Sequence, residues 1–409
     1  MLASDLARRR SAERYGAGSR RERDGMLAGN SIALATQQVV APIQGMHRAI
    51  SERWFAAAGT PARPFRMMHL AVSDVVYGSI RAGGTIAGWA FDTRLSDTSP
   101  ISESLQSVVN GLWGDTLDPD AGHLEIAMGV RDQSGSRVSI PTGLDRAFPG
   151  TTGNLVVLVH GLFETERCWK GTEEGPGLVE ALEDQPQLTP VLIRYNAGLR
   201  ISENGVHLAD LLDELRTAWP VPVESVSLVG HSMGGLVIRS ACGVAEEAGQ
   251  RWIRDVDDVV TLGTPHQGAP LEKAVNVAAW ALARVPDTRP LAEFLNVRSG
   301  GIKDLRFGSV TEDDWHDADP DLLLQDTVGR HPLPSGIRHH FVAGVATADP
   351  AHPLGRAIGD LVVRANSATG GRDLDPTSEV VLGGVRHLDL PRKPVVVERV
   401  MAWLAGADS

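Results

Sequence analysis

The sequence predicts an α/β protein with a doubly wound, mainly parallel sheet, and two observations lead to that fold class. Short, continuous apolar runs such as Leu155–Val159 recur in the second part of the chain, as expected of strands buried on both faces. Segments with helical spacing of apolar residues, such as Met233–Ala248, lie between these runs. Strands that alternate with helices favour a parallel sheet covered by helices on both sides.

The predicted elements follow one another in a regular order. Residues 124–140 alternate between apolar and polar and contain a turn at Asp132–Gly135, which predicts a β-hairpin before the main sheet. The main strands are predicted at Leu155–Val159, Val191–Arg194, Val226–Val229, Val259–Leu262, Phe341–Val345 and Glu379–Leu382. The helices between and after them are predicted at Ser202–Trp219, Met233–Ala248 and Pro394–Leu404.

Composition excludes several classes of protein. The chain has 409 residues, and this length predicts one large domain with a smaller satellite. Its net charge of −12 argues against a nucleic-acid partner, because such partners require a basic surface. No run approaches the roughly 18 apolar residues of a membrane span, so a cytoplasmic location is expected. Two cysteines cannot build a disulfide framework, and no Cys/His cluster indicates a metal site.

Three regions are predicted along the chain. Residues 1–26 form a disordered basic arm, because the first 25 residues hold seven arginines and almost no large apolar residue. The Arg20-Arg21 pair resembles part of an export signal, but no clear apolar region or cleavage site follows it, so an untargeted tail is favoured. Residues 27–122 form a helical N-terminal extension. Residues 123–409 form the α/β domain, with an insertion at about 269–336.

Helical periodicity supports the N-terminal extension. An apolar stripe runs from Val39 to Trp54, a second helix is predicted at Met67–Arg81, and a third begins at Ser99-Pro100. The polar faces of these helices are not strongly basic, so the sequence does not support contact with a membrane surface. We expect the apolar stripes to pack within the molecule.

The strongest chemical signal is the run Gly230-His231-Ser232-Met233-Gly234. A predicted strand precedes it and a predicted helix follows it, which is the context that a G-x-S-x-G nucleophile turn requires. Small residues two positions before and after Ser232 permit a very tight turn that exposes the serine hydroxyl. The following helix directs its N-terminus towards the place where negative charge develops. We therefore predict that Ser232 is a nucleophile.

Three motifs resemble those of the α/β-hydrolase lipases and esterases. They are Val159-His160-Gly161-Leu162, Gly230-His231-Ser232-Met233-Gly234-Gly235 and Leu262-Gly263-Thr264-Pro265-His266-Gln267-Gly268. The sequence is most similar to bacterial relatives of the GPI inositol-deacylase (PGAP1-like) group, over about residues 155–404. The run Asn110-Gly111-Leu112-Trp113-Gly114-Asp115 also looks typical of a bacterial subgroup of these hydrolases. The resemblance implies a serine esterase or lipase that needs no cofactor.

The resemblance also assigns an oxyanion hole and part of a pocket. The loop after the first buried strand supplies one backbone N–H, from Leu162 or Phe163, and the residue after the nucleophile, Met233, supplies the other. His160 precedes this loop and is expected to pin it by hydrogen bonding. Phe163 and His266 are expected to line the substrate pocket.

A triad needs a base and an acid, and in this fold they follow the serine in the order acid, then histidine. His387 is the best candidate base, since it lies between the last predicted strand and the C-terminal helix, where the resemblance places the histidine; His339, His340 and His352 fit this order less well. Asp360 is the preferred acid, because similar lipases carry a Gly-Asp-x-x-Val run there; Leu361 stands where a second glycine is common. The other candidate acids are Asp349, Asp373 and Asp375.

The insertion at Ala269–Gly336 is much longer than a plain crossover, which needs about a dozen residues. Its first part is unusually apolar and follows the strand end nearest the nucleophile. It is predicted to form a cap or lid, with Trp280 and Leu282 lining an acyl pocket. The alternative is an ordinary packing helix. An acidic run from Glu312 to Asp321 lacks the alternation and the glycine of a calcium loop, and a solvated loop is expected there.

These features together predict a serine carboxylester hydrolase that acts on a small-molecule or lipid ester through an acyl-enzyme intermediate. The same triad also suits a thioesterase, an amidase or an acyltransferase. A different class of function, a non-catalytic interaction module with a hydrolase fold, conflicts with the intact Ser232 and His387. The sequence does not indicate an oligomeric state.

Overall fold

The computed structural model describes residues 100–116, 126–269, 299–316, 329, 331–371 and 373–406, together with Gln44, Arg48 and Glu52. The chain divides into two compact units, Met1–Ser99 with Asp118–Leu124 and Pro100–Leu117 with Glu125–Ser409. The predicted basic arm and nearly all of the predicted extension before Pro100 lie outside the described residues. The fold described below is that of the second unit.

The second unit is built on a seven-stranded sheet. Its strands are β1 (Gly129–Arg131), β2 (Asn154–Val159), β3 (Thr189–Arg194), β4 (Ser225–His231), β5 (Val256–Leu262), β6 (Arg338–Val345) and β7 (Ser378–Gly383). They are arranged in the order β1-β3-β2-β4-β5-β6-β7. Strand β1 is antiparallel to β3, and every other neighbouring pair is parallel. This topology confirms the predicted doubly wound, mainly parallel sheet.

Helices connect the strands and cover both faces of the sheet. They are α1 (Pro100–Trp113), α2 (Leu144–Ala147), α3 (Leu178–Glu183), α4 (Ile201–Ala218), α5 (Met233–Ala248), α6 (Gly300–Asp304), α7 (Pro353–Ile358), α8 (Ala365–Ala368) and α9 (Pro394–Leu404). Single turns of 3₁₀-helix occur at Glu166–Trp169, Trp252–Asp255, Glu312–Asp314 and His387–Asp389. Among the described residues, no helix has both the length and the apolar character needed to cross a membrane.

Strand β2 shows why the central strands are continuously apolar. Successive side chains of a strand point to opposite faces, and here both faces are covered. Leu155, Val157 and Val159 belong to the cluster that contains residues of α4 and α5. Val156 and Leu158 belong to the cluster that contains residues of α3 and α9. Each position of the strand is therefore in a hydrophobic core, and no polar alternation is expected.

The predicted hairpin forms only in part. Strand β1 spans three residues, and the returning segment makes a bridge between Arg131 and Arg137 and one bond from Val138 N–H to the Val130 carbonyl (3.0 Å). The chain enters α2 at Leu144 soon afterwards, so the predicted second strand does not extend further. The main partner of β1 is instead β3, with which it forms an antiparallel edge of the sheet.

Helices α4 and α5 are in close contact at Gly205. A Cβ atom added to Gly205 would lie 2.1 Å from Ser240 Oγ and 2.5 Å from Ser240 Cβ, both shorter than normal contacts. Gly243, one turn further along α5, has no atom within 4 Å of the corresponding position. The two glycines therefore differ in packing although both lie inside long helices.

We expect Gly205→Ala to lower the free energy of unfolding by about 1–3 kcal/mol, because the added methyl group overpacks the contact between α4 and α5. Gly243→Ala is the matched control. It should be neutral or stabilise the protein by up to about 1 kcal/mol, because alanine favours a helix more than glycine does. Urea unfolding of both variants measures the difference. Equal stability of the two variants would contradict the close approach of the helices at Gly205.

Candidate active site

Ser232 lies in a sharp turn between β4 and α5. Its backbone has φ 52° and ψ −122°, and its N–H donates to the carbonyl of Leu262 at the end of β5 (2.8 Å). A Cβ atom on Gly230 would lie 2.6 Å from Gly235 Cα, and one on Gly234 would lie 2.2 Å from the Val159 carbonyl oxygen. Side chains at these positions would collide with the backbone, which explains the glycines of the motif.

The structure brings together the three residues that were predicted as nucleophile, base and acid. His387 Nε2 lies 2.8 Å from Ser232 Oγ, and His387 Nδ1 lies 2.7 Å from Asp360 Oδ2. Ser232 is 8% exposed, His387 is 6% exposed and Asp360 is 1% exposed, so little water competes for these hydrogen bonds. Since the carboxylate accepts from Nδ1–H, Nε2 is left to accept the serine proton.

The loop after β6 holds Asp360 in a fixed orientation. Asp360 Oδ1 accepts hydrogen bonds from the N–H groups of Val362 (3.0 Å) and Val363 (2.8 Å), while its other oxygen faces His387. Leu361 has φ 87° within this loop, a backbone conformation that favours glycine. Leu361 adopts this conformation although it carries a side chain.

The other candidate acids have different partners or surroundings. Asp349 and Asp373 are exposed; Asp349 accepts from the N–H of Ala351 (2.8 Å), and Asp373 accepts from Gln267 Nε2 (2.8 Å). Asp375 is also exposed. Within the described part of the chain, Asp360 alone among the four candidates forms a hydrogen bond with His387.

The predicted oxyanion loop forms a β-turn from Gly161 to Glu164, closed by the N–H of Glu164 donating to the Gly161 carbonyl (3.3 Å). Leu162 and Phe163 occupy its central positions, and Phe163 has φ 63°. The N–H groups of Leu162, Phe163 and Met233 have no hydrogen-bond acceptor among the described residues. They are therefore available to an oxyanion, with either Leu162 or Phe163 as the donor from this turn.

His160 anchors the start of this loop. It is fully buried; its Nδ1 lies 2.8 Å from the Gly161 carbonyl oxygen, and its ring stacks on Tyr195 at 4.6 Å between centroids. The Tyr195 hydroxyl donates to the His160 carbonyl (2.9 Å). Burial lowers the pKa of His160. These contacts fit the structural role that was expected for this histidine.

Helix α1 borders the same loop through the motif at Asn110–Asp115. A Cβ atom on Gly111 would lie 2.4 Å from the Phe163 ring, and Ser107 Oγ donates to the Glu164 carbonyl. Asn110 Oδ1 accepts from the N–H of Ile126 (3.0 Å). The segment therefore packs against the predicted oxyanion turn, a contact that the sequence did not reveal.

Of the four residues predicted to line the pocket, the structure describes Phe163 and His266, and these two differ in exposure. Phe163 is 39% exposed beside the turn. His266 is buried, stacks on Phe341 at 4.3 Å, and has its Nε2 3.1 Å from Thr261 Oγ1. Its role as a pocket wall remains a prediction. Trp280 and Leu282 lie outside the described residues, and so does most of the predicted lid.

Among the described residues, no group of three or more histidine, cysteine, aspartate or glutamate side chains is arranged to hold a metal ion. One member of the predicted solvated acidic run is in fact buried. Asp314 bonds to His331 Nε2 (2.8 Å) and accepts from the N–H groups of Val310 and Thr311. These bonds outweigh the opposing effect of burial and lower the pKa of Asp314 to about 2.

Two polar residues of this region were not identified as functional from the sequence, Glu164 and His231. His231, the residue before Ser232, has its Nδ1 2.6 Å from Glu164 Oε2. His231 occupies the variable second position of the G-x-S-x-G motif, and Glu164 follows the loop glycine by three positions. Nothing in either local pattern indicates that the two residues meet.

Comparison with known families and structures supports the sequence resemblance. A model of the PGAP1-like alpha/beta domain family matches residues 194–321. The matched region contains Ser232 and the Thr264-Pro265-His266 run, whereas Asp360 and His387 lie beyond it. This match confirms the predicted resemblance to PGAP1-like hydrolases, and the sheet topology is that of an α/β-hydrolase fold.

Several solved structures are similar to this chain. The Bacillus licheniformis lipase BlEst2 in its propeptide form is 20% identical, with 68% of this chain and 52% of the lipase chain covered, at a TM-score of 0.42. Its mature form is 21% identical, with 66% of this chain and 96% of the lipase chain covered, at a TM-score of 0.41. Phospholipase PlaB from Legionella pneumophila is 15% identical, with 62% of this chain and 57% of the phospholipase chain covered, at a TM-score of 0.38. The match spans about half the length of the BlEst2 propeptide form.

If the site hydrolyses esters as the sequence predicts, Asp360→Asn should lower kcat by about 10²–10⁴-fold with little change in KM, because the amide favours the wrong tautomer of His387. Asp373→Asn is the matched control and should keep normal turnover. Steady-state kinetics of the two purified variants provide the measurement. Normal turnover in Asp360→Asn with a collapse in Asp373→Asn would move the role of the acid to Asp373.

Proposed function

We propose that this chain, an α/β-hydrolase by fold, is a serine hydrolase that cleaves carboxylic esters with Ser232 as the nucleophile. The observation that carries the proposal is the continuous hydrogen-bonded chain from Asp360 through His387 to the Ser232 hydroxyl, at 2.7 and 2.8 Å. A buried serine in a strained turn, bonded to a histidine that is itself bonded to a carboxylate, is the arrangement of an activated nucleophile. A role in packing alone does not require this combination.

In the proposed reaction, Ser232 Oγ attacks the acyl carbon of the ester while His387 Nε2 takes its proton. The alcohol then leaves with that proton, and the acyl group remains on Ser232. Asp360 keeps the His387 ring in the tautomer that accepts at Nε2 and stabilises the positive charge that the ring acquires. Water, deprotonated by His387, then attacks the acyl carbon of the acyl-enzyme. The bond from that carbon to Ser232 Oγ breaks, the carboxylic acid leaves, and His387 returns the proton to Ser232 Oγ.

Backbone donors stabilise the negative charge that develops on the acyl oxygen. We assign this role to the N–H of Met233 and to that of Leu162 or Phe163, since these groups have no acceptor among the described residues. Loss of one such donor typically costs about 3 kcal/mol of transition-state stabilisation. Helix α5 begins at Met233, so its dipole favours the same negative charge.

The same geometry suits thioesters, amides and acyl transfer, since the triad acts on the acyl carbon in each case. A small-molecule or lipid ester is the proposed substrate class. An ester series with acyl chains from two to sixteen carbons, run beside thioester and amide analogues, ranks these alternatives by kcat/KM. A chain that hydrolyses none of them would support the non-catalytic alternative.

We expect Ser232→Ala to lower ester turnover by about 10⁴-fold or more while leaving the fold intact, because the variant has no nucleophile. Ser227→Ala, on the same strand β4, is the matched control and should retain wild-type turnover. Residual activity above about 1% in Ser232→Ala would contradict the assignment.

A second readout does not depend on knowing the substrate. A fluorophosphonate probe should label the wild type and Ser227→Ala at Ser232, with loss of fluoride, and should not label Ser232→Ala. Circular dichroism checks that all three proteins are folded. A folded wild-type protein that the probe does not label would overturn the proposed function.

A further inference from the structure

A second carboxylate–histidine pair lies beside the proposed triad. His231 Nδ1 is 2.6 Å from Glu164 Oε2, and His231 Nε2 is 3.0 Å from the backbone carbonyl oxygen of His387. His231 is fully buried, and the Glu164 side chain is 11% exposed. The rings of His231 and His387 are 4.9 Å apart between centroids. The proposed mechanism uses neither Glu164 nor His231.

The partners of His231 determine its protonation state. A carbonyl oxygen can only accept a hydrogen bond, and so can an ionised carboxylate. Both ring nitrogens of His231 therefore act as donors, which makes the ring a buried imidazolium paired with a carboxylate.

Electrostatics agree with this assignment. Burial alone disfavours the charged ring, but the Glu164 carboxylate outweighs burial and raises the pKa of His231 above its usual range, and the charge of Asp360 acts in the same direction. Although burial also opposes ionisation of Glu164, the charge of His231 and its hydrogen bond lower the pKa of Glu164 to about 2.

The pair connects the parts of the proposed site to one another. Glu164 Oε2 also accepts from the N–H of Gly161 (2.8 Å), where the turn with Leu162 begins. The His387 backbone is held on both sides, since its N–H donates to the Asp360 carbonyl (3.1 Å) and its own carbonyl accepts from His231. His231 directly precedes the nucleophile in the chain.

We propose that His231, as an imidazolium neutralised by Glu164, is a positioning residue that holds the backbone of His387 and the oxyanion turn in place relative to Ser232. This inference rests on the proposed function of Ser232. Without the His231 bond, the His387 carbonyl keeps only the weaker bond from the Leu390 N–H (3.3 Å), and the catalytic ring is less well aligned. A displacement of about 1 Å at a reacting group can cost about 10²-fold in rate.

The first test separates positioning from stability. We expect His231→Gln to lower kcat by about 10–100-fold with KM changed by less than about 3-fold, because glutamine carries its hydrogens on one nitrogen and cannot reach both acceptors. The matched control is His340→Gln. His340 is a buried histidine, 3.1 Å from Asp258 Oδ1, near the opposite ends of the parallel strands β5 and β6. The His340→Gln variant should be less stable than the wild type, but its folded form should keep the normal kcat.

The second test separates charge from shape. Glu164→Gln keeps the size of the side chain and an oxygen that accepts from Gly161, but it removes the negative charge. If the imidazolium pair is needed, Glu164→Gln should lose kcat about as much as Glu164→Ala does. Wild-type kcat in Glu164→Gln would overturn the proposal, and this nearly isosteric variant remains informative if His231→Gln does not fold.

The third test observes the ring directly by nitrogen NMR at neutral pH. Both nitrogens of His231 should be protonated in the wild type and in Ser232→Ala, with the signal assigned by its loss in His231→Gln. In Glu164→Gln the ring should become neutral. A neutral His231 in the wild type would overturn the proposal. Failure of the proposed function has a different signature, namely absent ester hydrolysis with an intact imidazolium signal.

Discussion

The candidate site depends on one backbone constraint, the positive φ of Ser232 in the turn between β4 and α5. Such a conformation is costly for a residue with a side chain and persists only where the surroundings fix it. Here the N–H of Ser232 is bound to the end of β5, and Gly230 and Gly234 approach the backbone too closely to carry a side chain. The position of the hydroxyl is therefore set by the packing of the sheet, and the other groups of the site are arranged around it.

The parallel sheet explains how groups that are distant in the chain meet at this turn. The carboxyl ends of parallel strands open at one edge, where α/β proteins bind their ligands. The turn with Leu162 follows β2, Ser232 follows β4, Asp360 follows β6 and His387 follows β7. The order of serine, acid and histidine in the sequence thus matches the order of their strands in the sheet. A backbone hydrogen bond from His387 N–H to the Asp360 carbonyl (3.1 Å) joins the last two loops.

The parts of the structure that depend on local pattern could be predicted from the sequence. The apolar runs located the parallel strands, and the glycines around Ser232 located the turn, because both follow from sterics within a few residues. Asp360 required a family resemblance, since a loop aspartate has no local signature. The contact between Glu164, in the loop after β2, and His231, at the end of β4, joins residues 67 positions apart and left no such signature. Helix α1 itself was predicted from its cap and apolar spacing, but its contact with β3, where buried Glu103 forms an ion pair with Arg194 (3.3 Å), was not.

The Glu164–His231 pair also affects the charge balance of the proposed reaction. When His387 takes the proton of Ser232, two positively charged rings lie 4.9 Å apart. At an effective dielectric constant of about 20 they repel by about 3 kcal/mol. Each ring is bonded to its own carboxylate, Asp360 at 2.7 Å and Glu164 at 2.6 Å, and two opposite charges offset that repulsion. Without Glu164, His231 has two alternatives. It can release a proton and lose one of its two hydrogen bonds, or it can stay positively charged and repel the charge on His387. Both alternatives affect the step in which His387 takes the serine proton, so the pair that positions His387 also limits the free-energy cost of protonating it.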